Sequence, residues 1–455
     1  MLINKLDNVE VNLETGHKSA ICDIKCGENI IKYGSPIGHA ICDIKRGENV
    51  HTHNIKTNLG DNIEYVFEPE YYEQPECDER FFMGYEREDG SVGIRNDIWI
   101  VNTVGCVNNT AKRIAEKSGA KYFPHPFGCS QLGEDNAVTQ QILKGMINHP
   151  NAGGILVLGL GCENNNIGEM KKILGEINEK RVKFLVAQDV EDEVEEGIKL
   201  VEELKSYAST FERKKLSVSR LVVGLKCGGS DGFSGITANP LVGRFADKFI
   251  AMGGSCVLTE VPEMFGAEHL LMKRSENREV FDKTVDLINN FKDYFRRHNQ
   301  VIYENPSPGN KEGGITTLEE KSLGCVQKGG TSKVVDVIDY GDSVSKKGLT
   351  LLNGPGNDIV AVTNLMAAGA HIILFTTGRG TPLGSAVPTL KISTNTPLSE
   401  KKANWIDFDA GRVLLGNDCT DELIDLVIDT AEGKLAKNEL NGYEEISIFK
   451  DGVTL

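Results

Sequence analysis

The feature that most limits how this chain can fold is a recurring unit: an apolar run, a loop with glycine and cysteine side by side, then a helical stretch. Residues 98–103 lead into Gly105-Cys106, residues 121–123 into Gly128-Cys129, residues 154–160 into Gly161-Cys162, and residues 221–225 into Cys227-Gly228. Helical spacing follows over residues 110–118, 137–147 and 241–252, the last led in by Asn239-Pro240, a helix-start signal. Short apolar runs without alternation suit strands buried on both faces, and helices between them supply the crossovers that parallel strands require. The expectation is Rossmann-like α/β architecture, a doubly wound parallel sheet with helices on both faces. Loops at the carboxyl ends of such strands are where open α/β sheets hold ligands, so the four cysteines are expected to share a site.

The densest of these loops is 225–240, L-K-C-G-G-S-D-G-F-S-G-I-T-A-N-P, which offers a thiol (Cys227), a carboxylate (Asp231) and hydroxyls (Ser230, Ser234, Thr237). Its glycines permit tight turns and close backbone approach to a small molecule. No Gly-x-Gly-x-x-Gly or Walker pattern occupies these loops, so a nucleotide is not the first ligand to consider.

Upstream, residues 20–30 (A-I-C-D-I-K-C-G-E-N-I) recur as residues 40–50 (A-I-C-D-I-K-R-G-E-N-V). A short duplicated unit with alternating apolar residues and a Gly-Glu-Asn turn predicts two matching lobes of a small β-barrel-like domain over 1–58. The second copy ends in His51-Thr-His53-Asn, and alternation along a strand would put both imidazoles on one face. Residues 59–80, acidic and without periodicity, read as a linker. A first α/β domain is expected over 81–300. A second is expected over 301–455, with residues 303–330, rich in Gly, Pro and Asn, as a lid. There, residues 376–382 carry Arg379 in a Gly-rich loop, suited to a bidentate grip on a carboxylate.

A net charge of −16 over 455 residues argues against nucleic acid or an anionic membrane surface as partner. No apolar run reaches membrane-span length and no signal-peptide core opens the chain, which suggests the cytoplasm. Eleven cysteines in a reducing compartment do not suggest a disulfide framework. None of this speaks against a homo-oligomer.

Thiolate, imidazole and carboxylate together suit a borderline-soft metal such as iron, zinc or manganese, and His51, His53, Cys129, Cys162 and Cys227 are the candidate ligands. Three separated cysteines also leave an iron–sulfur cluster with one open iron as an alternative. A metal would chelate a substrate carboxylate and its neighbouring hydroxyl, acidifying the carbon between them. Candidates for proton transfer are His125, Lys18 and Asp231, together with His51 and His53. Ser230, Asn108, Arg379 and Asn357 are expected to bind substrate.

Gly16-His-Lys, Val50-His-Thr-His-Asn54, Gly128-Cys-Ser-Gln-Leu-Gly133, Leu160-Gly-Cys-Glu163, Cys227-Gly-Gly-Ser-Asp231 and Gly378-Arg-Gly-Thr-Pro382 resemble motifs of the sugar-acid dehydratases that act on altronate and galactarate. The resemblance spans nearly the whole chain. It implies loss of water from D-altronate to give 2-dehydro-3-deoxy-D-gluconate in hexuronate breakdown, with ferrous iron or manganese and an N-terminal domain of the SAF type. Galactarate, a sulfonated hydroxy acid that expels sulfite, or non-catalytic sensing of a sugar acid are the competing readings. Pro124-His-Pro-Phe keeps His125 but lacks two hydroxyls of the family pattern, which bears on substrate preference.

Overall fold

The computed structural model describes residues 1–60, 65–303 and 305–452. Residues 61–64 of the expected linker, residue 304 of the expected lid, and residues 453–455 lie outside that description.

The N-terminal unit is built from six short strands: β1 (Val9–Val11), β2 (Lys18–Ala20), β3 (Asn29–Lys32), β4 (Ser35–Ala40), β5 (Asn49–Val50) and β6 (Ile55–Lys56). They form two three-stranded sheets, ordered β1-β2-β5 and β3-β4-β6. The sequence duplication explains how they close on each other. Gly27 N–H donates to Ala40 O and Gly47 N–H to Ala20 O, each at 2.8 Å, and Ile24 pairs with Ile44. Lys25 reaches Asp43 at 3.0 Å while Lys45 reaches Asp23 at 2.9 Å. Each copy thus supplies the partners that the other lacks, and both bury matching residues, Ile24 with Ile30 in the first and Ile44 with Val50 in the second.

The second unit opens with a hairpin, β7 (Phe81–Glu86) and β8 (Val92–Gly93), and continues into β9 (Asp97–Asn102), β10 (Lys121–Tyr122), β11 (Ala152–Gly159) and β12 (Val182–Val186). These last four form a parallel sheet in the order β10-β9-β11-β12. Its crossovers are α1 (Asn108–Ser118), α2 (Gly133–Asn148) and α3 (Ile167–Leu174), and α4 (Glu193–Ala208) follows β12. Every residue of β11 is buried, as its unbroken apolar run requires. The acidic α4 begins where Asp192 accepts from the backbone N–H groups of Val194 and Glu195, with Glu193, Glu195 and Glu196 near the positive end of the helix dipole. Strand β13 (Arg213–Ser217) then returns antiparallel to β7. Its sequence, R-K-K-L-S, carries no apolar run and gives no strand signal.

The third unit holds α5 (Ala238–Ala251), α6 (Glu268–Met272), α7 (Arg278–Arg297), α8 (Pro308–Glu312), α9 (Leu318–Cys325) and α10 (Asp358–Ala367). Its strands are β14 (Val222–Cys227), β15 (Ser255–Leu258), β16 (Val334–Ile338), β17 (Leu349–Leu352), β18 (Ile372–Thr377), β19 (Thr389–Ser393) and β20 (Phe408–Asp409). They form one parallel sheet ordered β16-β17-β15-β14-β18-β19-β20. This corrects the expected boundary at residue 300. Strands β14 and β15 pair with strands from beyond that point, and the division falls between α4 and β14. Consecutive buried strands look alike in sequence whichever sheet they join. From β14 the chain moves one way to β15 and later the other way to β19 and β20, so the crevice between β14 and β18 is the switch point of the sheet.

The expected lid over 303–330 is also corrected. All eight residues of α9 are buried, and Glu320 within it accepts from Lys18 and Lys32 of the N-terminal unit at 2.8 Å each. The glycines and prolines serve turns around a buried wedge that docks one unit on another. Among the described residues no helix is long and apolar enough to cross a membrane.

Candidate active site

The loops after β14 and β18 are knitted together at the switch point. Gly228 N–H donates to Thr376 O at 3.0 Å and Gly378 N–H to Gly229 O at 3.1 Å. A Cβ on Gly378 would stand 2.2 Å from Asp231 Cγ, so only glycine lets the two loops meet. Asp231 Oδ1 accepts from Phe233 N–H at 3.1 Å and Ser234 Oγ at 3.0 Å, and Oδ2 from Thr394 Oγ1 at 2.9 Å and Asn395 Nδ2 at 3.3 Å. Burial raises its pKa against the pull of these donors. With both oxygens engaged, Asp231 ties the β14 loop to the end of β19 and has no lone pair aimed into the crevice. Ser230 is buried and its carbonyl accepts from Asn310 Nδ2 at 2.8 Å. Asn357 caps α10 through Val360 N–H at 3.3 Å. Arg379 stands at the mouth, its side chain 47% exposed, touching Gly309 O at 3.2 Å and Glu312 at 3.1 Å.

The N-terminal unit brings its own groups to this mouth. Gly16 and Gly232 pass so closely that a Cβ on Gly232 would lie 2.0 Å from Gly16 O. Just beyond, the His17 and His51 ring centroids are 5.4 Å apart. His51 Nε2 lies 2.8 Å from Lys311 O and Nδ1 lies 3.1 Å from Thr52 Oγ1. The carbonyl accepts only if Nε2 carries the hydrogen, which leaves Nδ1 as the acceptor nitrogen. Burial lowers the pKa of His51, so the ring is neutral near pH 7.

Several expectations are corrected here. His51 and His53 do not share a strand face. Strand β5 stops at Val50, and residues 51–54 turn back with Asn54 N–H on His51 O at 2.9 Å, leaving His53 exposed. Lys18 is fully buried behind the crevice, bound to Glu320 at 2.8 Å and Gly314 O at 3.1 Å. One carboxylate cannot neutralise two buried ammonium groups. Burial therefore pushes Lys18 down to about 8, while for Lys32 the attraction of Glu320 outweighs burial and raises it.

His125 sits in the second unit, buried, with Nε2 2.8 Å from Asn102 O and Nδ1 accepting from Phe127 N–H at 3.2 Å. Both ring nitrogens are engaged by backbone groups and burial lowers its pKa, so it braces a loop of the second unit. Asn108 is equally committed, donating to His125 O at 2.9 Å and accepting from Asn102 Nδ2 at 2.8 Å.

Cys129, Cys162 and Cys227 do not converge: the first two are exposed on the second unit, and Cys227 is buried in the third. Among the described residues, the group that gathers three ligand atoms within 4.8 Å of one another is Cys227, Glu263 and Cys325. This set does not fit a divalent ion. Cys227 Sγ already lies 2.8 Å from Lys328 Nζ and from Glu263, and Glu263 pairs with Lys321 at 2.8 Å. Beside them Lys226 binds Glu260, and Asp358 at 2.8 Å. Three ammonium groups thus face three carboxylates, and an added dication would lie against buried positive charge. Contact with Cys325 and burial raise the Cys227 thiol well above its ordinary range, as a protonated thiol requires.

The groups that sequence reasoning missed are His17, Lys226, Glu260, Glu263, Cys325 and Lys328. Glu260 adopts a left-handed φ of 72°, rare for a residue with a side chain, at the end of β15. Only His17 carries a sequence signal, inside Gly16-His-Lys.

Fold and crevice together define a three-part α/β protein in which a separate β-rich unit brings two imidazoles close to the loops at the switch point of the sheet. Family models cover all three parts: "Altronate/galactarate dehydratase SAF domain" over residues 3–58, "D-galactarate dehydratase/Altronate hydrolase, second domain" over 84–209, and "D-galactarate/Altronate dehydratase, C-terminal" over 218–454. The chain belongs to the galactarate/altronate dehydratase family and is a hydro-lyase. It is 54% identical to an altronate dehydratase of Bacillus subtilis (strain 168) over 98% of this chain and 93% of that one. It is 50% identical to an altronate dehydratase of Escherichia coli (strain K12), over 99% and 95% respectively. Against the galactarate dehydratase (L-threo-forming) of Escherichia coli (strain K12) it is 32% identical, over 93% and 87%.

Proposed function

We propose that this chain removes water from D-altronate to give 2-dehydro-3-deoxy-D-gluconate, in the cytoplasm, as a step in hexuronate breakdown. The substrate assignment is supported by end-to-end likeness of 54% and 50% to two altronate dehydratases, against 32% to a galactarate dehydratase. Eleven cysteines without a disulfide among them suit a reducing compartment.

The observation that carries the mechanism is the His51 ring, neutral, with its hydrogen held on Nε2 by Lys311 O and with His17 beside it. Arg379, half exposed at the mouth, turns from Glu312 to the substrate carboxylate. His51 Nδ1 takes the proton from C2, and the electron pair forms the C2–C3 double bond. The C3–O bond breaks, and the departing hydroxyl takes a proton from His17 and leaves as water. The enol then tautomerises to the 2-keto acid. Asp231 and the glycines of the β14 loop hold the crevice open.

The test is 2-keto acid release by the purified chain, reconstituted without oxygen, from altronate and from galactarate. Release from altronate at a clear excess supports the reading. Release from galactarate alone, or binding of altronate with no product, overturns it.

A further inference from the structure

The second unit carries chemistry that the crevice leaves unused. Cys106, Cys129 and Cys162 follow β9, β10 and β11, which stand side by side in the order β10-β9-β11 and run parallel, so all three cysteines lie at one sheet edge. Their loops are bonded to one another. Gly105 N–H donates to Phe127 O at 2.9 Å, Asn165 N–H to Gly128 O at 3.2 Å, and Ser130 N–H to Asn164 Oδ1 at 3.0 Å.

Glycine precedes each of these cysteines. A Cβ on Gly128, which has φ +98°, would stand 2.0 Å from Thr103 O, and one on Gly105 would stand 2.7 Å from His125 O. Those glycines let the loops pack backbone to backbone, and each loop then turns its cysteine outward. Beneath them, Glu163 accepts from Thr103 Oγ1 at 2.6 Å and Leu160 N–H at 3.0 Å, and Asn165 Nδ2 donates to Thr103 O at 3.0 Å. His125 braces the same loops from below. The loops are hydrogen-bonded together and the thiols on them are exposed.

Exposure alone decides little, because Cys22, Cys26 and Cys42 are exposed as well. The distinction is threefold recurrence on bonded loops at adjacent strand ends, for a residue type that proteins ordinarily bury. Among the described residues these sulfurs join no group of three ligand atoms within 4.8 Å, the arrangement a single ion would need. A cluster spreads its cysteines over different iron atoms and accepts a wider spacing. Three thiolates select an iron–sulfur cluster over manganese, which prefers oxygen ligands.

We propose that Cys106, Cys129 and Cys162 hold an iron–sulfur cluster through three thiolates, which leaves one iron without a cysteine ligand. The site does not rest on the hydro-lyase reading.

Anaerobic loading of the full chain with ferrous iron and sulfide tests the proposal without any turnover. About four irons and four labile sulfides per chain are expected. Cys106→Ser, Cys129→Ser and Cys162→Ser should each lose more than half of both, and the triple variant nearly all, while Cys26→Ser keeps the wild-type content. In the wild-type chain, loading should protect these three thiols from alkylation, a reading that requires no variant to fold. Failure of the wild-type chain to take up iron, iron bound without labile sulfide, or a triple variant with undiminished content overturns the proposal. A chain that loads as described but releases no keto acid from altronate supports the site and overturns only the substrate assignment.

Discussion

At the end of β14, Cys227, followed by Gly228, is sealed 2.8 Å from both Lys328 and Glu263, whereas after β9, β10 and β11 three cysteines each preceded by glycine stand exposed. All four cysteines adjoin a glycine at a strand end, and the surroundings are opposite. Over β14 the chain lays α9 and the residues that follow it, bringing Lys321, Cys325 and Lys328, and the charges buried there must be neutralised from within. Over β9 to β11 the recorded partners are uncharged: Gln188 Nε2 donates to Cys162 Sγ at 3.6 Å, and Cys129 Sγ lies 3.8 Å from Ser130 Oγ. A glycine–cysteine loop at a strand end is therefore a structural device or a ligand site depending on what later sequence covers it.

The comparison breaks most easily at the sealed edge. Glu263→Gln leaves Lys321 and Lys328 without their shared carboxylate and should cost about 3–5 kcal/mol in urea unfolding. A loss no larger than that of a surface change would mean the cluster is not a closed charge network.

The buried brace behind the crevice gives the next largest effect. Lys18 has a pKa of about 8 when folded and the ordinary value of 10.5 when unfolded. Between those values the unfolded chain holds a proton that the folded one has released, so stability rises with pH across that window. The gain is on the order of 3 kcal/mol. In urea unfolding across that range, Lys18→Met should flatten the rise relative to wild type. An unchanged slope would place the titration elsewhere.

Smaller effects separate the two kinds of cysteine. Cys227→Ser should cost about 1 kcal/mol and leave iron uptake unchanged, because a hydroxyl still accepts from Lys328. Cys129→Ser should leave the stability of the metal-free chain within about 0.5 kcal/mol, as exposed positions do, yet reduce iron uptake. If the two variants exchanged these outcomes, the assignment of the edges would be reversed.

Most regular elements were legible because their signals are local. Expected helices over 110–118 and 241–252 are α1 (Asn108–Ser118) and α5 (Ala238–Ala251), and the duplicated 20–50 segment lies within the six-stranded N-terminal unit. Long-range choices were not legible. Nothing in the apolar run of β14 says that it pairs with β18 some 150 residues on; the register Val223 with Ile372 shows that it does. The site was read for its residue types more than for their places. Gly-Cys loops pointed to strand ends, but which cysteines share an edge follows from sheet order. His125 looked available for proton transfer because two backbone partners cannot be read from Pro124-His-Pro. Glu260 and Glu263 gave no signal because carboxylates enter a core only with lysines supplied from distant segments, here β14 and α9.

The central claim is that His51, carried to the crevice by the N-terminal unit, moves the proton that starts the elimination. The direct measurement is keto-acid formation from altronate by iron-loaded wild type and by His51→Gln, with iron content checked in both. The account predicts that kcat falls at least about 100-fold while KM and iron content change little. A His51→Gln enzyme with wild-type kcat would contradict it.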